Sequence, residues 1–136
     1  MNGLKSLAIV LSALSLCGPA IAQDDRWVQI GQFDTGALHI DPTTIKVVRG
    51  STRSAWFRIE NDPNGKSRFS HMLQMLRVNC EDEATATVSV IAYPKDGGAH
   101  STKTTIPELL EWEPAAPGTM SAIIVGVVCK FKIQLK

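Results

Sequence analysis

The chain has 136 residues, with 14 Lys and Arg against 13 Asp and Glu, for a formal net charge of +1. That balance gives no general electrostatic attraction to nucleic acid or to an anionic membrane surface. The length is that of one domain with a real but modest core.

The first 22 residues read as a leader. Lys5, an apolar run from Leu7 to Leu16, Pro19 and the small-residue pattern Ala20-Ile21-Ala22 have the anatomy of a secretory signal peptide cut after Ala22, which leaves residues 23–136 as the single domain. The apolar run is too short to span a bilayer, so no transmembrane segment is expected after cleavage. Cys17 admits lipidation as an alternative, although Leu16 stands where that signal wants a small residue. With Cys17 removed, Cys80 and Cys129 remain, an even count in an oxidising compartment, which reads as one disulfide. A free pair and a catalytic thiol are the weaker readings, since no His, Lys or Arg arrangement beside either cysteine activates it. Two ligands are too few for a structural zinc site.

In chain order, Arg26 to Gly31 alternates Val28 and Ile30 against Trp27 and Gln29, a first strand. Gly36 to Asp41 repeats the pattern with Leu38 and Ile40 inward. Asp41-Pro42-Thr43-Thr44 has turn chemistry, the Asp41 carboxylate being able to accept from amides two and three residues on, and Ile45 to Val48 follows as a short strand. Thr52 to Glu60 sets Ala55, Phe57 and Ile59 against Ser54, Trp56 and Arg58. Asn61 to Gly65 then supplies a hairpin turn. Arg68 to Cys80 carries large apolar groups on both faces and belongs near the middle of a sheet covered on both sides. Ala84 to Tyr93 alternates Ala86, Val88, Val90 and Ala92 with Thr85, Thr87 and Ser89. After the turn at Pro94 to Gly98, Ala99 to Ile106 returns as a polar edge strand, giving about six strands in an antiparallel meander.

Pro107 to Thr119 contains three prolines and reads as a loop crossing from the sheet to its partner element. In the stretch that follows, Met120, Ile123, Ile124, Val127 and Val128 fall on one helical stripe, and Thr119 is placed to cap it. The β-branched residues and Gly126 favour a strand by local propensity, yet the stripe spacing carries the assignment to helix. Cys129 lies near the opposite edge of that helix, beside Ala122 and Val125. The tail from Lys130 to Lys136 alternates as a short extra strand would.

Charge is unevenly placed. Residues 42 to 80 hold Lys46, Arg49, Arg53, Arg58, Lys66, Arg68 and Arg77 against Glu60 and Asp62, while residues 81 to 113 hold seven acids against Lys95 and Lys103. Strands of opposite sign lying side by side would cancel through cross-strand pairs. The competing reading is a basic patch that holds an acidic partner.

The pattern resembles the surface-adhesin protein E family. The residues that carry the likeness are Trp27-Val28, Ile40-Asp41 with Thr43-Thr44-Ile45, Trp56, Asn79-Cys80, Trp112 with Pro117-Gly118-Thr119, and Val128-Cys129, covering Arg26 to Lys130. The resemblance implies an α+β fold: an antiparallel sheet with a C-terminal helix tied to one face by Cys80 and Cys129. It also implies an exported, non-enzymatic module like the bacterial surface adhesins that attach to host extracellular-matrix proteins. A periplasmic structural or stress-related envelope protein is the alternative.

No residue set selects a chemistry or a cofactor. His39, His71 and His100 are scattered over separate strands, and no nucleophile elbow, phosphate loop or paired-histidine zinc motif is present. Asp41, Glu60, Glu108 and Glu111 offer carboxylates, with nothing to select two of them. His71 reads as a hydrogen-bonded core residue rather than a haem ligand, and Trp27, Trp56 and Trp112 as core or sheet-edge packing, with Trp56 also a candidate contact residue. The candidate partner-binding set is Arg49, Arg53, Trp56, Arg58 and Arg68 on the outer sheet face. No metal ligands are assigned, and localisation is expected in the periplasm or on the outer surface of a bacterium.

Overall fold

The computed structural model describes residues 24–134; the leader, its cleavage site and Cys17 lie outside the described residues. Six strands follow one another in space as in sequence: β1 (Val28–Phe33), β2 (Gly36–Arg49), β3 (Thr52–Asn61), β4 (Phe69–Asn79), β5 (Ala84–Pro94) and β6 (Ser101–Thr104). A 3-10 turn at Pro107–Leu109 leads to a two-residue strand, β7 (Glu113–Pro114), which also pairs with β5. Helix α1 (Met120–Lys130) closes the chain. The expected α+β architecture is the one observed.

Side chains opposite one another on antiparallel strands share a face, so the register sorts the sheet. The row Leu38–Ile59 and the row Ile40–Phe57 lie on the side that meets the helix, continued by Ala55 with Leu76 and by Val78. Leu38, Phe57 and Val78 are fully buried there against Ile124, Val125 and Val128. Gly36 permits the tight β1–β2 connection: its backbone adopts a positive φ of 151°, and a Cβ there would run into the Glu60 carbonyl.

Three expectations about the sheet need correction. The turn expected at Asp41 to Thr44 is a bulge inside one long strand, between the pairs Asp41–Trp56 and Lys46–Ser54. Polar side chains stitch it: buried Asp41 accepts from the Thr43 amide at 3.0 Å and its hydroxyl at 2.6 Å, and Thr44 Oγ1 accepts from the Trp56 amide at 2.9 Å. These bonds replace ladder partners, so the strand bends without ending.

The clean alternation of β5 is also broken, because its register against β4 shifts between the pairs Met75–Ser89 and Leu76–Thr87. Thr85 and Thr87 therefore join Val90 and Ala92 on the helix side, and Thr85 Oγ1 lies 3.5 Å from Ser121 Oγ. Likewise β4 is central in the strand order but covered on one side only, Leu73 and Met75 being half-buried on the face away from the helix.

The helix forms where the stripe spacing places it, despite its β-branched content. Thr119 caps it as expected, its hydroxyl accepting from the Ala122 amide at 3.3 Å. The buried face is Ile124, Val125 and Val128, turned by about one residue from the expected stripe toward Cys129. The cause is the Cys80–Cys129 disulfide, with Cα atoms 5.6 Å apart, which anchors that side of the helix to the end of β4. The tail from Phe131 to Gln134 is not a strand.

The charge segregation does not cancel. Among the described residues there are two ion pairs, Arg26–Asp24 and Arg58–Glu60, and neither joins the basic stretch to the acidic one. The register puts no basic side chain of β3 or β4 opposite an acid of β5. The acids sit instead on the β4–β5 turn, the β5–β6 turn and the crossover to the helix.

Candidate partner-binding face

Four cross-strand rows make up the centre of the face away from the helix. Lys46, Ser54, Arg77 and Ala86 form the first; Asp41, Trp56, Met75 and Ser89 the second; His39, Arg58, Leu73 and Ile91 the third; Ala37, Glu60, His71 and Tyr93 the fourth. Trp56, Leu73, Met75, Ile91 and Tyr93 are half-buried on it. Helix α1 docks on the opposite side, but this face is not bare: Asp41, Ser54 and Ala86 on it are buried, and His100 of the β5–β6 connection sits against Tyr93 with ring centroids 5.4 Å apart. Trp112, 43% exposed, borders its end beside Ala84 and Pro114.

Polar groups interrupt the apolar centre. Arg58 Nε lies 3.0 Å from Glu60 Oε1, but its N–H is not directed at the carboxylate and is left without a hydrogen bond. The Nδ1 of His39, directly across the β2–β3 pair, is likewise buried and unpartnered. His71 stacks on Tyr93 with ring centroids 4.3 Å apart and lies 3.0 Å from Ser70 Oγ through Nδ1. Burial, then the nearby Arg58 guanidinium, push its imidazole below the ordinary value of 6.5, with Glu60 pulling the other way. His71 is therefore hydrogen-bonded as expected, yet on an open face rather than in the core.

The five residues nominated from sequence are divided. Trp56 and Arg58 stand two positions apart on the outer face of β3, and exposed Arg49 lies at the end of β2 opposite Thr52 on the same side. Exposed Arg68 sits at the start of the β4 arm, its guanidinium 4.7 Å from the Phe69 ring centroid. Arg53 is on the helix side: it pairs across β4 with buried Val78, and its Nη1 donates to the Val128 carbonyl at 2.6 Å and the Phe131 carbonyl at 2.7 Å. Those carbonyls belong to the helix C-terminus, where intrahelical partners run out and a cation is favoured. Alternation alone carried the signal, since Arg53 has the parity of Ala55 and Phe57. Sequence reasoning missed Leu73, Met75 and Ile91, whose exposure depends on what covers them.

The sequence profile of surface-adhesin protein E matches residues 27–130. The chain belongs to the surface-adhesin protein E family. Membership implies a protein that is exported or exposed at the cell surface. The solved structure of protein E from Haemophilus influenzae in crystal form II is similar with a TM-score of 0.58 and 14% identity, over 82% of this chain and 93% of that one. The selenomethionine form of Haemophilus influenzae protein E gives a TM-score of 0.56 at 14% identity, over 82% of this chain and 92% of that one. At that identity the likeness speaks for the fold alone. No curated protein sequence matches the chain. Among the described residues of this adhesin-family chain, no helix is long and apolar enough to cross a membrane, and no group of three or more His, Cys, Asp or Glu is placed to hold a metal ion.

Proposed function

We propose that this chain is an exported, non-enzymatic binding module that holds a protein partner, a host extracellular-matrix protein, on the sheet face opposite the helix. The observation that carries the reading is the central strand β3, which presents Trp56 and Arg58 side by side amid half-buried Leu73, Met75 and Ile91. An aromatic ring and a guanidinium set in an apolar surround are the side chains that dominate protein interfaces. Lys46, Arg49 and Arg77 give this face a basic margin suited to an acidic partner. Family membership supports a protein ligand. A non-enzymatic role is supported by the carboxylates: Asp41 is occupied by Thr43 and Glu60 by Arg58, while Glu108 and Glu111 lie on the crossover at the far edge of the sheet.

The test is capture of the folded protein on a panel of immobilised extracellular-matrix proteins, comparing the native chain with Trp56→Ala/Arg58→Glu. We expect at least about a tenfold loss of binding in the variant, with its disulfide and melting transition retained. Equal capture of both proteins overturns the assignment of this face. Location is read separately in intact cells: cleavage by added protease places the protein on the surface, whereas protection followed by release on osmotic shock places it in the periplasm and refutes host attachment.

A further inference from the structure

We infer a second binding site, on the other side of the sheet and independent of the outer face, that takes an extended peptide segment carrying apolar and basic side chains. It lies at the edge where β5 lacks a continuous partner. β6 pairs with β5 at Ser89 to Ala92, and β7 pairs with it at Ala84 and Thr85. Between them the Thr105 amide donates to the Val88 carbonyl at 2.8 Å, and the Ala115 amide to the Glu83 carbonyl at 2.8 Å. Ladder groups on one strand edge alternate, so Thr87, two residues beyond Thr85 with its β7 partner Glu113, points to the same edge. Thr87 thus directs its amide and carbonyl at a window in which neither β6 nor β7 pairs with it.

The chain arches away from that window over Thr105 to Trp112, and the space it leaves is a cavity of about 610 Å3. Its apolar wall includes Val88, Val90, Ile106 and Leu109. Ile106 is 57% exposed and Leu109 66%, although both border a recess. Glu111 and Glu113 line its floor against the single cation Lys103. Among the described residues neither carboxylate has a side-chain hydrogen bond or ion pair, so the excess negative charge is uncompensated where apolar surface is open. This is the acidic half of the chain, which the register leaves uncancelled.

Each feature names a part of the occupant. The main chain of Thr87 offers one amide and one carbonyl to a peptide backbone, the apolar wall fits an aliphatic side chain, and the carboxylates fit Lys or Arg. The cavity is of the size that binding sites for small or segmental ligands have.

The experiment is selection of a phage-displayed library of random ten-residue peptides on the immobilised full-length protein. We expect enrichment of sequences that pair Lys or Arg with neighbouring aliphatic residues. The selected peptides, made synthetically, should lose at least tenfold in affinity for Glu111→Gln/Glu113→Gln and for Leu109→Ser, all surface changes checked by an unaltered melting transition. They should bind Trp56→Ala/Arg58→Glu as they bind the native chain, so failure here and failure of the outer-face reading are separable. Enrichment without basic residues, or affinity unchanged by the groove variants, overturns the proposal. Equally tight binding of spermidine would reassign the groove to small cations and also overturn it.

Discussion

Arg53 shows how a residue's task depends on which side of a strand it occupies. A surface arginine contributes little to stability, but this guanidinium donates two hydrogen bonds of 2.6 and 2.7 Å to carbonyls at the end of α1. Charge-assisted bonds of this kind contribute about 1.5–3 kcal/mol. Arg53→Ala is therefore expected to lower unfolding stability by about 2 kcal/mol in a denaturant titration, with the disulfide intact; a change within about 0.5 kcal/mol, the surface norm, would show the contacts to be idle. His71 makes a different prediction. Its folded imidazole resists protonation because of burial and the facing Arg58, against Glu60, with Tyr93 stacked on it. The contribution is fully present above the ordinary value of 6.5 and is lost as pH falls toward the depressed folded value, because the unfolded chain takes up the proton first. Melting temperature should fall as pH drops below about 6.5, and less so in His71→Gln. Identical falls in both proteins would assign the effect elsewhere.

The elements hold together by devices of unequal legibility. The helix has an N-cap readable three residues before the amide it binds, and a stripe whose spacing outweighs β-branched propensity because the tertiary face rewards it. Its rotation was not readable, since the stripe and the cysteine compete for the sheet and the covalent bond wins. A crosslink between positions 49 residues apart removes about 4 kcal/mol of unfolded-chain entropy. Replacing both cysteines, as Cys80→Ser/Cys129→Ser, should cost about that much in a denaturant titration while Ile124, Val125 and Val128 keep the helix docked. Faster amide exchange in residues 120–130, before global unfolding, would report the released end. In the sheet, β2 and β5 each carry a register shift that local alternation hides. One extra residue on one strand inverts every side chain beyond it, and its position is fixed by the partner strand.

At the scale of the molecule, a single layer of sheet with one helix leaves two surfaces that differ in sign. The outer face centres on Trp56 and Arg58 with a basic margin, and the β5 edge on the helix side is acidic around Glu111 and Glu113. Effects of substitutions on the two surfaces are expected to add within about 0.5 kcal/mol in binding measured with both ligands present, as distant sites do; a larger coupling would mean that one ligand bridges them. The amino-acid sequence by itself determined the meander, the paired cysteines, the cap at Thr119 and the inward rows Leu38, Ile40, Ala55 and Phe57, because these follow from alternation, turn chemistry and cysteine count within short windows. Tertiary structure alone decided that Arg53 serves the helix, that Leu73, Met75 and Ile91 lie half-buried on the face away from it, and that the acids gather along an interrupted edge. Those outcomes depend on which strand lies opposite which, and on the side the helix takes, and no local stretch of chain encodes either.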